Sequence, residues 1–277
     1  MMMRATSRRF ISSARLAVWE RDRFANQSLF EDRYAALLAE KDDLPSTAHG
    51  IVSSLADTMA IRTRAIDAWL EKPSWPPVRT TRRQVVILGS AGLDTRSYRL
   101  GLGQATTIYE VEPTSDILAN KREVLADAGV RQRTMVVDVC GDPAEPRACE
   151  AALLAAGFDP RVPTRWVVEG PLTGGDGVAP PDYMSTFQLA SRIGGTPASA
   201  LAAQVLQPDW AKQFTKEPCP GIIAPGGLVP LATVLDAARS AGWREKRTMR
   251  QADFKETFGR GAHESFALIF ADADTDP

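Results

Sequence analysis

The sequence has few of the residues that bind metals or form covalent cross-links. Its 277 residues include only two histidines and three cysteines. The cysteines, Cys140, Cys149 and Cys219, lie at spacings that match no zinc motif, and an odd number of cysteines is typical of a reducing compartment. We therefore expect no metal site, and the shortage of histidine disfavours catalysis by a Ser/His or Cys/His pair.

Charge and hydropathy exclude two further classes of protein. The 33 basic and 34 acidic residues leave a formal net charge of −1, so no overall basic field exists to attract nucleic acid. No apolar run reaches the roughly 18 residues that a membrane-spanning helix needs. Hydrophobic residues make up 44% and charged residues 24% of the chain, which is typical of a globular protein that folds without disulfides or metals.

The N-terminal segment is basic and lacks acids. Four arginines, at positions 4, 8, 9 and 15, precede the first acidic residue, Glu20. This composition is typical of an organelle transit peptide, but a basic tail or an amphipathic helix packed on the domain would share it. We interpret residues 1–13 as a leader or possible transit peptide. The expected location is cytoplasmic, or mitochondrial or plastid if that leader directs import.

The hydropathy pattern predicts one domain with two parts. Apolar residues recur at helical spacing from about residue 14 to residue 72, which predicts a helical N-terminal cap. The proline-rich segment 73–77 ends this pattern. From about residue 82 to residue 272, short apolar runs alternate with helical stretches, and strands alternating with helices predict a doubly wound α/β sheet. The predicted strands cover residues 84–88, 106–112, 134–139, 165–169, 201–206 and 264–270.

A glycine turn and two acids mark a predicted ligand site. The first strand ends in a turn that contains Gly89 and Gly92, at the edge where parallel sheets bind ligands. Glu112 ends the second strand, twenty residues beyond Gly92, where an acid accepts hydrogen bonds from the hydroxyls of a ribose. Asp138 closes the third predicted strand, where adenine contacts arise. Together they predict a cofactor of the nucleoside type.

The details favour S-adenosylmethionine over a nicotinamide cofactor. The dinucleotide fingerprint needs a third glycine, but Asp94 and Arg96 follow Gly92 instead. None of the four tyrosines has a lysine four residues later, as a short-chain dehydrogenase would need, and no phosphate loop ends in Gly-Lys-Ser/Thr. An oxidoreductase therefore remains only a distant alternative.

Several segments resemble the leucine carboxyl methyltransferase family, whose members depend on S-adenosylmethionine. The most distinctive is the glycine turn together with its continuation, Leu93-Asp-Thr-Arg96. Segments 62–67, 109–113, 121–125, 136–138, 157–160 and 163–170 follow in the family's order and spacing, so the resemblance covers about residues 14–250. It implies a Rossmann-like class I methyltransferase, residues 14–277 including the cap, that methylates a carboxylate or hydroxyl of a small molecule or a peptide terminus.

The resemblance also implies residues for the methionine part of the cofactor. Arg64 would pair with the methionine carboxylate, and Arg62, two residues earlier, competes for that role. Glu169, after the fourth strand, would face the ammonium group. Charge-assisted contacts of this kind each contribute about 1.5–3 kcal/mol.

For the nucleoside part, the resemblance implies four further residues. Gly89 would line the methionine and ribose portions, and Glu112, where the family usually has Asp, would hold the ribose hydroxyls. Asp138 and Val139 would bracket the adenine. It implies no particular catalytic residue, and neither the acceptor nor the oligomeric state follows from the sequence.

The sequence departs from the family pattern in two further places. The glycine turn is one residue longer than usual, and Gly170-Pro-Leu-Thr-Gly-Gly175 lacks the aromatic residue that normally borders methyl transfer. The second departure raises the alternative of a domain that binds S-adenosylmethionine without transferring methyl. A carboxylate acceptor is already ionised at pH 7 and needs no base, whereas a hydroxyl would need His49, His263 or a tuned acid.

Overall fold

The computed structural model describes residues 16–18, 28–39, 49–72, 82–89, 91–170, 182–216 and 228–274. The predicted leader, residues 1–13, lies outside this set. The strands are β1 (Arg83–Leu88), β2 (Thr106–Glu112), β3 (Met135–Cys140), β4 (Thr164–Val168), β5 (Ala200–Leu206), β6 (Trp243–Met249) and β7 (Phe266–Ala273). The helices are α1 (Ala35–Leu38), α2 (His49–Glu71), α3 (Arg96–Arg99), α4 (Ser115–Asp127), α5 (Pro146–Ala155), α6 (Tyr183–Gly194), α7 (Lys212–Lys216), α8 (Leu231–Ser240) and α9 (Gln251–Phe258).

All seven strands form one sheet in the order β3-β2-β1-β4-β5-β7-β6. Strands β1 to β5 are parallel, and β7 runs antiparallel to both β5 and β6. The strand order reverses between β1 and β4, which are neighbours. Ligands bind outside the carboxyl ends of parallel strands at such a reversal, so the predicted α/β fold is confirmed and the expected site lies after β1.

Helices cover both faces of the sheet. Helix α2 buries Leu55, Met59 and Ile66 in the same core cluster as Val85 and Ile87 of β1. Helices α6 and α8 contribute to a second cluster on the other face. Parallel strands buried on both faces are continuously apolar, and β1 accordingly has five consecutive buried residues. The main helix of the predicted cap thus belongs to the core of the sheet.

Two predictions from the pattern need correction. Residues 28–34 do not continue a helix, because Asp32 accepts hydrogen bonds from the backbone N–H groups of Tyr34 and Ala35 and so holds a turn. Strand β6 was not predicted, because this edge strand has four consecutive exposed residues, Arg244 to Arg247, and no apolar alternation. Edge strands rich in charge lack the pattern that identifies central strands.

The described residues lack two kinds of feature. None of their helices combines the length and the apolar composition needed to cross a bilayer. Nor do they contain a group of three or more His, Cys, Asp or Glu side chains arranged to hold a metal ion.

Candidate functional site

Gly89 brings the end of β1 into direct contact with the end of β4. Its φ of +91° is in the region that favours glycine. A Cβ at this position would lie 2.3 Å from the carbonyl oxygen of Glu169. The N–H of Glu169 in turn donates to the carbonyl of Leu88 at 3.0 Å. The sequence therefore needs glycine here, and the contact sets Glu169 at the floor of the predicted crevice.

Glu112 contacts the glycine turn. The N–H of Gly92 donates to Oε1 of Glu112 at 2.6 Å, within the short helical turn Ala91–Leu93. Burial raises the pKa of Glu112, and the hydrogen bonds from Gly92 and Ala91 oppose that rise. The structure thus brings together the turn and the strand-end acid that the sequence predicted as neighbours.

A buried lysine supports the same turn from beneath. The ammonium of Lys121, in α4, donates to the carbonyls of Ala91 at 2.5 Å and Asp94 at 2.9 Å. It also donates to Oε2 of Glu110 at 2.5 Å, and both side chains are fully buried. Sequence reasoning missed this residue, although its spacing from Leu118 and Leu125 places it on the apolar face of the helix.

Arg96 is the centre of a buried ion network that links three elements. Its guanidinium donates to both carboxylate oxygens of Glu169, at 3.0 and 3.1 Å, to Asp67 of α2 at 2.8 Å, and to Asp94 at 2.5 Å. Burial alone would lower the pKa of Arg96, but Asp94, Glu169 and Asp67 raise it well above its usual value. The sequence identified Arg96 only as part of a motif, because its partners lie far apart in the chain.

The network keeps Glu169 ionised. Burial would raise the pKa of this carboxyl, but Arg96 and then Arg62 lower it to about 2. Nε of Arg62 lies 3.6 Å from Oε1 of Glu169. A negative charge is therefore fixed after β4, where the ammonium of an amino acid was expected to bind.

The structure places the two arginines of α2 differently. Arg62 is 4% exposed, and its Nη1 donates to the carbonyl of Gly170 at 3.0 Å and to Oε1 of Gln204 at 2.5 Å. Its Nε is buried and has no hydrogen-bond partner among the described residues. Arg64 is exposed, because two residues rotate a helix by about 200°. Arg62, not Arg64, therefore faces the crevice.

The predicted adenine residues are placed differently from expectation. Strand β3 does not end at Asp138 but continues to Cys140, which pairs with Glu112, while Asp138 pairs with Glu110. The carboxylate of Asp138 accepts hydrogen bonds from Nε and Nη2 of Arg122. Val139 is buried in the second core cluster. Asp138 therefore lies two register positions away from Glu112 in the pairing of β2 with β3. The roles of Asp138 and Val139 toward adenine stay predictions.

A cavity opens between α2, the Leu93–Arg99 segment and Glu169. Its lining includes Arg62 together with the acids Asp32, Asp94 and Glu169. His263 is not among the lining residues: its Nδ1 accepts from the N–H of Ser265. The side chain of His49 and residues 171–181, which include the departure at Gly174 and Gly175, lie outside the described residues.

Comparison with known proteins identifies relatives of the sequence. Residues 10–173 match the family model described as leucine carboxyl methyltransferase. A candidate S-adenosyl-L-methionine-dependent methyltransferase of Mycolicibacterium gilvum (strain PYR-GCK) is 34% identical over 211 residues, covering 68% of this chain and 65% of the relative. A protein of the same description from Mycobacterium marinum (strain ATCC BAA-535 / M) is 36% identical over 173 residues, covering 61% and 48%. The matches span from about half to about two thirds of these relatives.

Solved structures resemble the fold. A methyltransferase candidate from Thermobifida fusca YX has a TM-score of 0.54 at 12% identity, covering 90% of this chain and 94% of that one. A DUF574 family protein from Streptomyces avermitilis MA-4680 has a TM-score of 0.52 at 12% identity, covering 90% and 97%. At such low identity these similarities support the architecture alone.

Proposed function

Since this chain belongs to the leucine carboxyl methyltransferase family, we propose that it transfers a methyl group from S-adenosylmethionine to an oxygen of a small molecule or a peptide terminus. When S-adenosylmethionine is bound, its sulfonium would supply both an activated methyl group and a neutral thioether as the leaving group. The chain's own residues bind and orient the two reactants, and positioning supplies much of the rate in such a displacement.

The fit of the donor's methionine end is the observation that carries the proposal. Nε of Arg62 is buried, and no described residue accepts a hydrogen bond from it. An unpaired buried guanidinium nitrogen costs free energy, which a bound carboxylate would recover by accepting that hydrogen bond. Glu169, whose Oε1 lies 3.6 Å from the same nitrogen, offers a fixed negative charge. An adjacent cation and anion match the carboxylate and ammonium of one amino acid.

The remaining donor contacts follow the strand ends. Glu112 would hold the ribose hydroxyls, because its carboxylate lies beside the glycine turn at the end of β2. Gly89 would line the methionine and ribose portions, because its backbone lies directly against that of Glu169. Asp138 and Val139 of β3 would contact the adenine, and for Asp138 this requires that its pairing with Arg122 be shared or exchanged.

The described lining of the cavity favours a carboxylate as the acceptor. Each of its three acids is already engaged: Asp94 and Glu169 by Arg96, and Asp32 by the hydroxyl of Thr95 at 2.6 Å. Within this lining we find no acid or histidine that is available to deprotonate a hydroxyl. A carboxylate needs no deprotonation at neutral pH, so it would accept the methyl group without a base supplied by the protein.

Calorimetric titration with S-adenosylmethionine tests the proposal. We expect micromolar binding by the wild type and at least tenfold weaker binding (about 1.4 kcal/mol) by Arg62→Gln. Arg64→Gln is the matched control and should bind like the wild type, because Arg64 is exposed. A folded wild type that does not bind the donor would contradict the proposed function, whereas weakening by Arg64→Gln alone would contradict only the placement of the carboxylate.

A further inference from the structure

A second cavity lies toward the amino-terminal end of the parallel strands, opposite to the end at which the glycine turn follows β1. It measures about 720 Å³ and is bordered by the C-terminal end of α2, by α9, and by strands β6 and β7. Its lining also includes Arg165 and Ala200, from the amino-terminal ends of β4 and β5. The volume is within the range of small-molecule sites. We call it the basic groove, after the cations in its lining: Lys72, Arg165, Arg244, Lys246 and Arg247.

The charges of the basic groove are not balanced. Of the residues that the structure describes, five cationic side chains line it, together with one acid, Asp272, whose carboxylate already pairs with Lys246 at 3.2 Å. Among the described residues, Arg244 and Arg247 form no ion pair. A concave surface lined by charges of one sign focuses the electrostatic field and concentrates ions of the opposite sign.

A β-bulge directs two of these cations into the groove. In the pairing of β6 with β7, Arg244 lies opposite Asp272 and Arg247 lies opposite Phe270, and the register shifts between Glu245 and Arg247. Residues two apart on β7 share a face, so the extra residue of β6 places both arginines on that face. In a regular strand, residues three apart would point to opposite faces.

The floor of the basic groove is aromatic. The rings of Trp69 and Phe270 pack with their centroids 5.8 Å apart, and Phe258 of α9 also lines the cavity. The guanidinium of Arg165 lies 4.9 Å from the centre of the Trp69 ring and donates to the carbonyl of Leu70 at 2.9 Å.

Cations on an edge strand also oppose edge-to-edge pairing, but that role requires neither a bulge nor an aromatic floor.

We propose that the basic groove binds a small organic anion with an apolar body, of the class of aromatic carboxylates. The anionic group would contact Arg244 and Arg247 at the rim, and the apolar body would lie on Trp69 and Phe270. The groove would be a second site, separate from the methyl-transfer crevice, because it lies at the other end of the parallel strands. The proposal therefore stands independently of the proposed function.

Titration of the full chain with 1-naphthoate tests this site, with 1-naphthalenemethanol as the neutral probe of similar shape. We expect naphthoate to bind at least ten times more tightly than the alcohol, and more weakly when salt is raised from about 0.05 M to about 0.5 M. The double variant R244Q/R247Q should bind naphthoate at least ten times more weakly. The control R131Q/R147Q removes the same charge from exposed arginines elsewhere and should bind like the wild type.

Several results would overturn the proposal. These are no binding of naphthoate by the folded wild type, equal binding of the alcohol, or equal affinity of R244Q/R247Q and the wild type. S-adenosylhomocysteine provides a further test: naphthoate should bind equally well in its presence, and displacement would show that the probe occupies the crevice instead. Both substituted residues of the groove are exposed, so the variants should keep the wild-type circular dichroism and melting temperature.

Discussion

Arg96 and Glu169 form a buried ion pair in which Nη2 lies 3.0 Å from Oε1 and Nη1 lies 3.1 Å from Oε2. Two parallel hydrogen bonds to one carboxylate are the strongest geometry available to an arginine. The pair joins the turn after β1 to the end of β4, across the point where the strand order reverses. Asp67 of α2 contacts the same guanidinium, so one side chain fixes three elements around the crevice.

Loss of this guanidinium should destabilise the fold strongly. Arg96→Leu removes the counter-ion of Asp94 and the two hydrogen bonds to Glu169, whereas Asp67 keeps its pair with Arg99. An uncompensated buried charge costs roughly 3–5 kcal/mol. We expect a decrease of that size in the free energy of unfolding, measured with urea. Arg192→Leu is the control, because the pair of Arg192 with Glu150 is partly exposed and such pairs contribute about 1 kcal/mol or less. Equal effects of the two substitutions would contradict the central role of Arg96.

Acid should weaken the fold through Glu169. Its pKa is lowered from 4.5 to about 2 in the folded protein, so the folded state binds this proton less readily than the unfolded state does. The stabilisation is present above pH 4.5 and is lost as the pH falls from there toward 2. We expect the free energy of unfolding of the wild type to fall faster over this window than that of Glu169→Gln. Parallel pH profiles of the two proteins would show that Glu169 is not held ionised.

Substitution of Gly89 by alanine should destabilise the fold by more than the backbone conformation alone accounts for. Gly89 and Gly103 have nearly the same φ, +91° and +90°, but a Cβ at Gly103 meets nothing within 4 Å. Gly103→Ala should therefore show only the backbone penalty of about 1 kcal/mol. Gly89→Ala adds a clash with the carbonyl of Glu169, and overpacking costs roughly 1–3 kcal/mol more. Urea unfolding of both variants gives the difference, which should be near zero if the end of β4 can shift.

The fold was predicted more completely than the site, for physical reasons. Buried parallel strands such as β1 are continuous apolar runs, and Gly89 and Glu112 stand at fixed offsets from strand ends, so local pattern identifies them. Whether Arg62 or Arg64 is buried depends on which face of α2 meets the sheet, and the partners of Arg96 depend on tertiary packing. Strand β6 has no apolar alternation because it is exposed at the edge. The local sequence pattern does not contain the orientation of a helix toward the sheet, the tertiary partners of a side chain or the position of an exposed edge strand.

Donor affinity should depend on the oxygen atoms of Glu112. Glu112→Ala removes both the proposed acceptor for the ribose hydroxyls and the acceptor for the N–H of Gly92, and we expect at least tenfold weaker binding (about 1.4 kcal/mol). Glu112→Gln keeps one carbonyl oxygen for Gly92, so it separates the two roles. If Gln binds the donor like the wild type while Ala does not, the residue supports the turn rather than the ribose. Calorimetric titration with S-adenosylhomocysteine measures all three proteins.

The identity of the acceptor should be visible in the pH dependence of methyl transfer. A carboxylate is ionised throughout the range from about pH 6 to about pH 9, whereas an unassisted alcohol or phenol becomes more reactive as it loses its proton. The assay measures transfer of labelled methyl from S-adenosylmethionine to a panel of matched carboxylic acids and alcohols. We expect transfer to the carboxylic acids, at a rate that does not change over this pH range. A rate that rises with pH, or transfer to the alcohols alone, would require a base. In that case His49 and the polar positions of residues 171–181, whose side chains lie outside the described residues, would be the first positions to substitute.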